Sequence, residues 1–498
     1  MNRKVFVVGT GVSGLVAGIY VQLAGLDVEM FESHSVVGGN CTGWNRRGFH
    51  IDGCIQWLTG TKPGTGINAI WRTCGSLSDE VQIYNTEKIA STVYDGKTYH
   101  LYSDLNRTKR ELSAISPEDK VAIRRLIRDI RRFQNLNAPI RRPFEQMNLL
   151  DILPLVWKVL RSGKPEKKTE RMTINDYLGE FKSPVIRQLL SCIFPVVMPV
   201  YTLFYSLGIR TSGDGGWPMG GSFEFVKRMQ SCFEDSGGTI HCNEAVDRII
   251  VKDGKAVGIR LKNGDREIFA DYIITAVDAD MLLNRLLNAQ YPDEFFKRRF
   301  DESHNYMLLT GTYVGLGVAA DLGAYPHNVY VQPEKPLRIN DTELRFFNVK
   351  LYNYDPKFIR NGKTIMTVLL TENEFDYWKT LKESSEQEYV REKERIADWV
   401  TGGIVRVFPE LEGKIEMSDV ATSLTFNKYC NSYRGSYMSF IPYGHVKKRI
   451  HKGTIDGIKN LYVAGQCTFP AGGMPLAALS GRFAAQRLLT AEQKVNGK

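Results

Sequence analysis

The run Lys4-Val5-Phe6-Val7-Val8 leads directly into Gly9-Thr10-Gly11-Val12-Ser13-Gly14, and this junction constrains the fold more than any other feature of the chain. Val5 to Val8 are β-branched or aromatic, so they predict a buried parallel strand. Gly9 permits a tight turn. Gly11 leaves room for a pyrophosphate beside the backbone, and Gly14 lets the next helix pack closely on the strand. A helix from about Ser13 to Ala24, closed by Gly25, aims its free N–H groups and positive dipole end at that place, with Val12 and Ser13 at its mouth. Asp27 to Phe31 predicts a second strand. Glu32 stands at its carboxyl end, 18 residues past Gly14, where an acid binds a ribose hydroxyl. Strand, turn, helix, strand and acid at these spacings predict a dinucleotide site. An empty glycine turn would leave Glu32 unexplained. The segment alone leaves NAD and FAD both open.

A length of 498 residues predicts two domains rather than one core. The net charge of +10 favours an anionic partner, with nucleic acid and anionic lipid as the candidates. Nucleic acid is set aside because no binding module accompanies the charge. Cysteines 41, 54, 74, 192, 232, 242, 430 and 467 form no CxxC pair, and no histidines sit at metal-ligand spacing in a helix. No metal site is therefore expected, and such scattered thiols suit a reduced compartment. The first apolar run is too short for a cleavable signal, so a cytoplasmic location is expected. Leu189 to Ile209 carries no charge over 21 positions, the length of a membrane span. Pro195 and Pro199 interrupt it, so a buried, broken core segment is expected instead.

Downstream residues separate FAD from NAD. Glu32-Ser33 is followed by Val36-Val37-Gly38-Gly39-Asn40, and then by "RRGFHIDGCIQWL" from Arg46. "GWPMGGSFEFVKRMQSCFEDSGG" opens a middle segment that ends at Gly264, and "NLYVAGQCTFPAGGMPLAALSGRFAAQRLL" runs from Asn460 to Leu489. These three segments resemble the FAD enzymes of the glutathione-reductase-like superfamily, in the branch shared by flavin amine oxidases and carotenoid desaturases. The pairing of Gly472-Gly473-Met474-Pro475 with Ser480-Gly481, together with Thr422 to Phe426 and Arg434-Gly435-Ser436-Tyr437, is similar to the phytoene desaturase, carotenoid isomerase and retinol saturase group. The resemblance is specific at both ends and vague between about 290 and 420. It implies FAD held by Gly9, Gly11, Val12, Ser13, Gly14, Glu32, Ser33, Gly38, Gly39 and Asn40. It also implies contacts from the backbone of Val246 on the adenine side, and from Gly465, Gln466, Gly473, Met474 and Pro475 at the flavin.

The resemblance implies an α/β architecture: a discontinuous Rossmann-like FAD-binding domain and an α+β substrate domain with a mixed or antiparallel sheet and a helical cap. The expected FAD-binding parts are residues 1–100, 211–290 and 440–498, and the substrate parts are 101–210 and 291–439. Gly238 to Cys242 and Tyr272 to Ala276 read as further sheet strands. Val246 to Val251, Lys255 to Leu261 and Arg266 to Phe269 read as an antiparallel meander with turns at Asp253-Gly254 and Asn263-Gly264. Tyr313 to Val318, Arg345 to Leu351 and Thr364 to Leu369 alternate like strands facing a cavity. Glu386 to Val400 reads as a charged surface helix.

No GxSxG, HExxH or P-loop lysine is present, so the hard chemistry is expected from the cofactor. No catalytic residue is assigned. The resemblance implies hydride transfer at the flavin N5, with the helix near Pro475 aimed at the flavin N1 and O2 edge. His50 and Asp52 invite a catalytic role, but bracing of the loop after Gly38-Gly39 is the expectation. Cys467 lies near the expected flavin, and proximity alone gives no reason for a covalent link. Amine oxidases of the superfamily often carry Arg at the position of Asn40 and Glu at that of Gln466. Both differences favour a lipophilic substrate such as a carotenoid, another isoprenoid or a fatty acyl lipid, processed by desaturation, saturation or isomerisation. A flavin amine oxidase and a membrane-binding flavoprotein without turnover are the alternatives. The electron partner is unassigned, since no second GxGxxG occurs. Eleven Lys and Arg residues lie between Arg107 and Arg142, followed by the apolar stretch Leu149 to Leu160. That pattern suits peripheral contact with an anionic membrane and equally a solvated helix face.

Overall fold

The computed structural model describes residues 3–134, 140–152, 172–442, 446 and 449–495. Two sheets organise it. The first has five strands in the order Thr239–His241, Asp27–Phe31, Lys4–Val8, Tyr272–Thr275 and Leu461–Val463. Every pairing in it is parallel. Neighbouring side chains on each strand enter different cores. Val5, Val7, Met30 and Ile274 join the core under the helices Val12–Leu23, Gly221–Asp235 and Met474–Val495. Phe6, Val8, Phe31 and Ile273 join the core under the antiparallel sheet Val246–Lys252, Lys255–Leu261 and Glu267–Phe269. Burial on both faces explains why Val5 to Val8, Tyr272 to Ile274 and Leu461–Val463 are apolar throughout rather than alternating.

The second sheet has seven strands, in the order Ile415–Ala421, Thr310–Val318, Thr364–Glu372, Phe347–Leu351, Asn328–Val331, Lys88–Tyr94 and Lys97–Tyr102. It is mixed, because Asn328–Val331 runs parallel to Lys88–Tyr94 while the other pairs are antiparallel. Residues 88–102 therefore hydrogen-bond into the second sheet, although their position before residue 100 predicts the first FAD-binding segment. Their alternating pattern carries no mark of which sheet they join, and only the long-range partner at Val329 decides it.

Helices Leu105–Ile115, Lys120–Phe133, Pro184–Ser191 and Val200–Thr211 share a separate apolar core and cap this sheet. The uncharged run Leu189 to Ile209 is split between the last two. Among the described residues no helix is long and apolar enough to cross a membrane. Glu386–Val407 forms the long helix expected from its charge, extended by two turns because Ile404 buries a further apolar position.

Candidate functional site

A single cavity of about 2460 Å³ runs from the parallel sheet into the space between the second sheet and the helical cap. Sites for one small ligand usually span about 300–1,000 Å³, so this one has room for a dinucleotide and a second molecule. Every residue expected from the sequence to hold the cofactor lines it except Gly14.

The turn after the first strand has the geometry of a phosphate cradle. Gly9 sits at φ +94°, and a Cβ there would meet the Ala276 carbonyl oxygen at 2.9 Å. Gly14 is held to glycine by packing, since its Cβ would lie 2.0 Å from the Gly9 carbonyl oxygen. Gly11 differs from both. Its φ of −62° suits any residue, and a Cβ would meet no protein atom within 4 Å. The space beside it belongs to the cavity. Gly11 also caps the Val12–Leu23 helix without a side-chain hydrogen bond, and no acid occupies the first turn. The opening N–H groups of a buried helix thus face the cavity, as an anion requires. Gly38 and Gly39, at φ +117° and +56°, form the opposite wall, and Gly38 bridges Gly11.

Glu32 is anchored more firmly than its motif suggests. One carboxylate oxygen accepts from Thr10 N at 3.0 Å and Thr10 Oγ1 at 2.7 Å. The other accepts from His34 N at 3.0 Å and Ser33 Oγ at 3.2 Å. A carboxylate offers about four acceptor sites, so a ribose hydroxyl would take the place of one hydroxyl donor. The Glu244 N–H donates to the Glu32 carbonyl, which brings the start of the Val246 strand beside the acid. Asp278, on the same cavity wall, has its carboxyl pushed up to about 6 by burial. No motif marks it in the sequence.

At the other end, Gly465 N donates to Ser480 Oγ at 2.8 Å. Gln466 Oε1 accepts from Gly473 N at 2.8 Å. Gly481 presses against the opening helix, where a Cβ would sit 2.2 Å from the Ser13 carbonyl oxygen. The Met474–Val495 helix therefore starts at the cavity with Gly473, Met474 and Pro475 in its wall. Asn40 Oδ1 is buried there with no hydrogen-bond partner. An open glycine cradle, an uncapped helix start, a ribose-side acid and an orphan amide oxygen all suit FAD. Bound there, FAD supplies two-electron chemistry that this chain's side chains lack.

Asp52 does not line the cavity. It is 1% exposed and accepts from Ser222 N, Ser222 Oγ and Cys54 N, which is the bracing role. His50 shares a 2.9 Å contact with Asn45, and burial pulls its pKa down. Cys467 is buried at the cavity, and burial pushes its thiol up, away from the thiolate a covalent link would need. None of the eight cysteines is in a disulfide.

Beyond Gly472 and Gly473 the lining turns apolar, with Ile193, Val196, Phe204, Leu369, Leu370 and Met438 among its walls. One region breaks that character. Arg210, Trp217, His327 and Lys350 line the cavity and are each at least nine-tenths buried. The Trp217 and His327 rings are 4.4 Å apart. Arg210 lies 5.2 Å and Lys350 5.8 Å from the Trp217 ring. Burial lowers Arg210 to about 9 and Lys350 to about 8. Burial, then the nearby Lys350 charge, holds His327 neutral; its Nδ1–H donates to the Leu351 carbonyl at 2.7 Å. These residues escape motif reading. The only hint is a lone charge at the edge of an apolar run, at Arg210 after Ile209 and at Lys350 within "FNVKL".

The basic run is partly spent inside the protein. Arg107 pairs with Glu87, Arg125 with Glu180, and Arg132 with Asp129. Arg141 and Arg142 are exposed, as are Leu149, Leu150 and Ile152. Leu153, Val156, Trp157 and Leu160 lie outside the described residues.

Residues 12–489 match the model of the flavin containing amine oxidoreductase family. The chain is 25% identical to a chloroplastic prolycopene isomerase of Daucus carota, over 98% of this chain and 80% of that protein. It is 24% identical to an all-trans-retinol 13,14-reductase of Danio rerio, over 92% of this chain and 82% of that protein. In fold it is similar to the cyclohexylamine oxidase of Brevibacterium oxydans, with a TM-score of 0.56 and 15% identity over 99% of this chain and 100% of that one. The FAD-shaped cradle and a match spanning nearly the whole chain lead to one conclusion: the protein belongs to the flavin containing amine oxidoreductase family and is an FAD-dependent oxidoreductase.

Proposed function

We propose that the protein acts on carbon–carbon double bonds of a lipophilic polyene, carotenoid-like, retinoid-like or fatty acyl, by desaturation, saturation or isomerisation. The observation that carries this reading is the continuity of one cavity from the Gly472-Gly473 wall into an apolar chamber too large for a compact polar substrate. The isomerase and reductase activities of the two relatives support it. The glycines leave the substrate free to lie against the flavin face, and the helical cap keeps water away. Gln466 and Gly473 hold the wall in place. An amine substrate fits poorly. An ammonium group seeks a free acid; the lining brings the buried cations Arg210 and Lys350 to the chamber, while its buried acids Asp129 and Asp214 are engaged, Asp129 with Arg132 and Asp214 with Lys62 N.

Anaerobic mixing of the FAD-loaded protein with polyenes and with primary amines tests the proposal. A change of the flavin absorbance with a polyene, and a product altered in mass or in double-bond geometry, is the expected result. Flavin reduction by amines alone would overturn it.

We also propose that the protein docks on anionic membranes through the exposed Arg141, Arg142, Leu149, Leu150 and Ile152. Basic charge beside exposed aliphatic side chains supports this, and a bilayer-dissolved substrate would make such docking useful.

A further inference from the structure

We infer that the end of the cavity around Arg210 and Lys350 holds the carboxylate of a long-chain lipophilic substrate, so that the preferred substrate is an acid rather than a hydrocarbon. This deepens the polyene reading and rests on it.

Two cations are buried here without a direct ion-pair partner among the described residues; the Asp52 and Asp355 carboxylates act on Lys350 only from a distance. Among the described residues no carboxylate lies within 4.0 Å of Arg210 or Lys350. Arg210 Nη2 donates to the Ile89 carbonyl, and Lys350 Nζ to the Ile55 carbonyl. The nearby acids are committed elsewhere. Asp52 holds Ser222 and Cys54, Asp355 holds Gly220 N and Lys357 N, and Asp214 holds Lys62 N. A smaller space of about 460 Å³ lies on the other side of Arg210 and Trp217, and its acids are also engaged. Glu87 pairs with Arg107, and Asp104 caps the Leu105–Ile115 helix.

A buried charge is costly unless something compensates it. Orphan polar atoms add to the case. Arg210 Nε and Trp217 Nε1 are buried N–H donors with no partner. A carboxylate at this place would take a charge-assisted bond from each cation and meet the indole N–H, while its hydrocarbon chain lies along the apolar walls. A hydrocarbon would leave Arg210 Nε and Trp217 Nε1 unpartnered and both charges unneutralised, and that penalty is what separates the two substrate classes.

The test uses the purified FAD-loaded protein. It is titrated with an all-trans polyene carboxylic acid, its methyl ester and a hydrocarbon of equal length, with binding followed by quenching of tryptophan fluorescence. The acid is expected to bind at least tenfold more tightly than the ester. Arg210→Met and Lys350→Met are each expected to erase that preference. Flavin content and thermal midpoint report whether each variant folds, and Lys350→Met carries the test if Arg210→Met does not. Equal binding of acid and ester by the wild-type protein overturns the proposal and leaves the polyene reading standing. So does a preference that survives in the folded variants. If none of the three ligands binds, the polyene reading falls and this proposal falls with it.

Discussion

The side-chain oxygen of Gln466 accepts the backbone N–H of Gly473 at 2.8 Å, tying the turn after the last parallel strand to the glycines that open the final helix. Gly472 and Gly473 sit at φ +68° and +95°, and glycine's wide backbone freedom means that a hydrogen bond helps to fix them there. Gln466→Ala removes the restraint. One hydrogen bond contributes about 1 kcal/mol, so FAD affinity should fall several-fold. Gln466→Glu keeps an acceptor but adds a negative charge to the flavin end, so FAD should stay bound while its midpoint potential drops. Flavin fluorescence titration and potentiometry read the two effects. Unchanged affinity in the alanine variant would show that the glycine wall does not depend on this bond.

The glycines of the first turn should separate by role. Gly11→Val places its side chain in open cavity at an ordinary φ, so the polypeptide should fold with an unchanged thermal midpoint in the absence of FAD. FAD binding should be lost, because the pyrophosphate needs that space. Gly14→Ala should do the reverse in kind. Its Cβ collides with the Gly9 carbonyl, and overpacking of this sort costs roughly 1–3 kcal/mol of stability. A Gly11→Val protein that retains a full complement of FAD would show that the phosphates lie elsewhere.

The first βαβ unit, the meander at Val246–Phe269 and the closing helix are legible in the sequence because each is fixed by local chemistry. Turn glycines, an acid at a set spacing and short apolar runs specify them without distant partners. The Lys88–Tyr102 hairpin is not legible in that way. Its place in the second sheet depends on Val329 and Tyr330, more than two hundred residues away. The site divides along the same line. The cradle is a motif, whereas the cationic end of the chamber assembles Arg210 from a helix, Trp217 and Lys350 from strands, and His327 from a loop. No spacing rule connects those four positions.

Asp52 should matter for stability and not for the reaction. Its carboxylate accepts from Ser222 N, Ser222 Oγ and Cys54 N at a position almost closed to solvent. Asp52→Ala strands those donors, and each buried unsatisfied group costs about 1–3 kcal/mol. The thermal midpoint should fall by several degrees. The protein that remains folded should bind FAD with an unshifted absorbance spectrum. A stable Asp52→Ala variant that loses only turnover would place Asp52 in the chemistry instead.

Lys350 gives the fold a specific dependence on pH. Its folded pKa is lowered to about 8 by burial, against an ordinary lysine value of about 10.4. Between these two values the unfolded chain binds more protons than the folded one. Stability from this group therefore rises as pH climbs from about 8 to about 10, and its penalty is complete below about 8. Lys350→Met removes the titrating group. Thermal melts of the two proteins should differ in slope across that window, with the wild-type protein gaining relative to the variant. Parallel curves would mean that Lys350 is compensated in the folded protein without any ligand.

The proposed docking on membranes rests on the exposed surface on and after residues 140–146, which pack against the closing helix. Arg141 and Arg142 supply charge, and Leu149, Leu150 and Ile152 supply apolar area that folding leaves uncovered. Each basic residue near an anionic surface is worth about 1 kcal/mol, and salt screens that attraction within about 10 Å at 0.1 M. The charge is smaller than the run Arg107 to Arg142 suggests, since Arg107, Arg125 and Arg132 already pair with acids of the protein. Binding to anionic vesicles should therefore be strongest at low salt and weaken as salt rises towards about 0.5 M. Replacing Leu149, Leu150 and Ile152 together with Ser should weaken it at every salt concentration, because the apolar contribution does not depend on screening. Flavin content should survive, since these residues do not line the cavity. Co-sedimentation with phosphatidylserine-containing vesicles measures both effects. A wild-type protein that stays in the supernatant at low salt would reduce this surface to a solvated face.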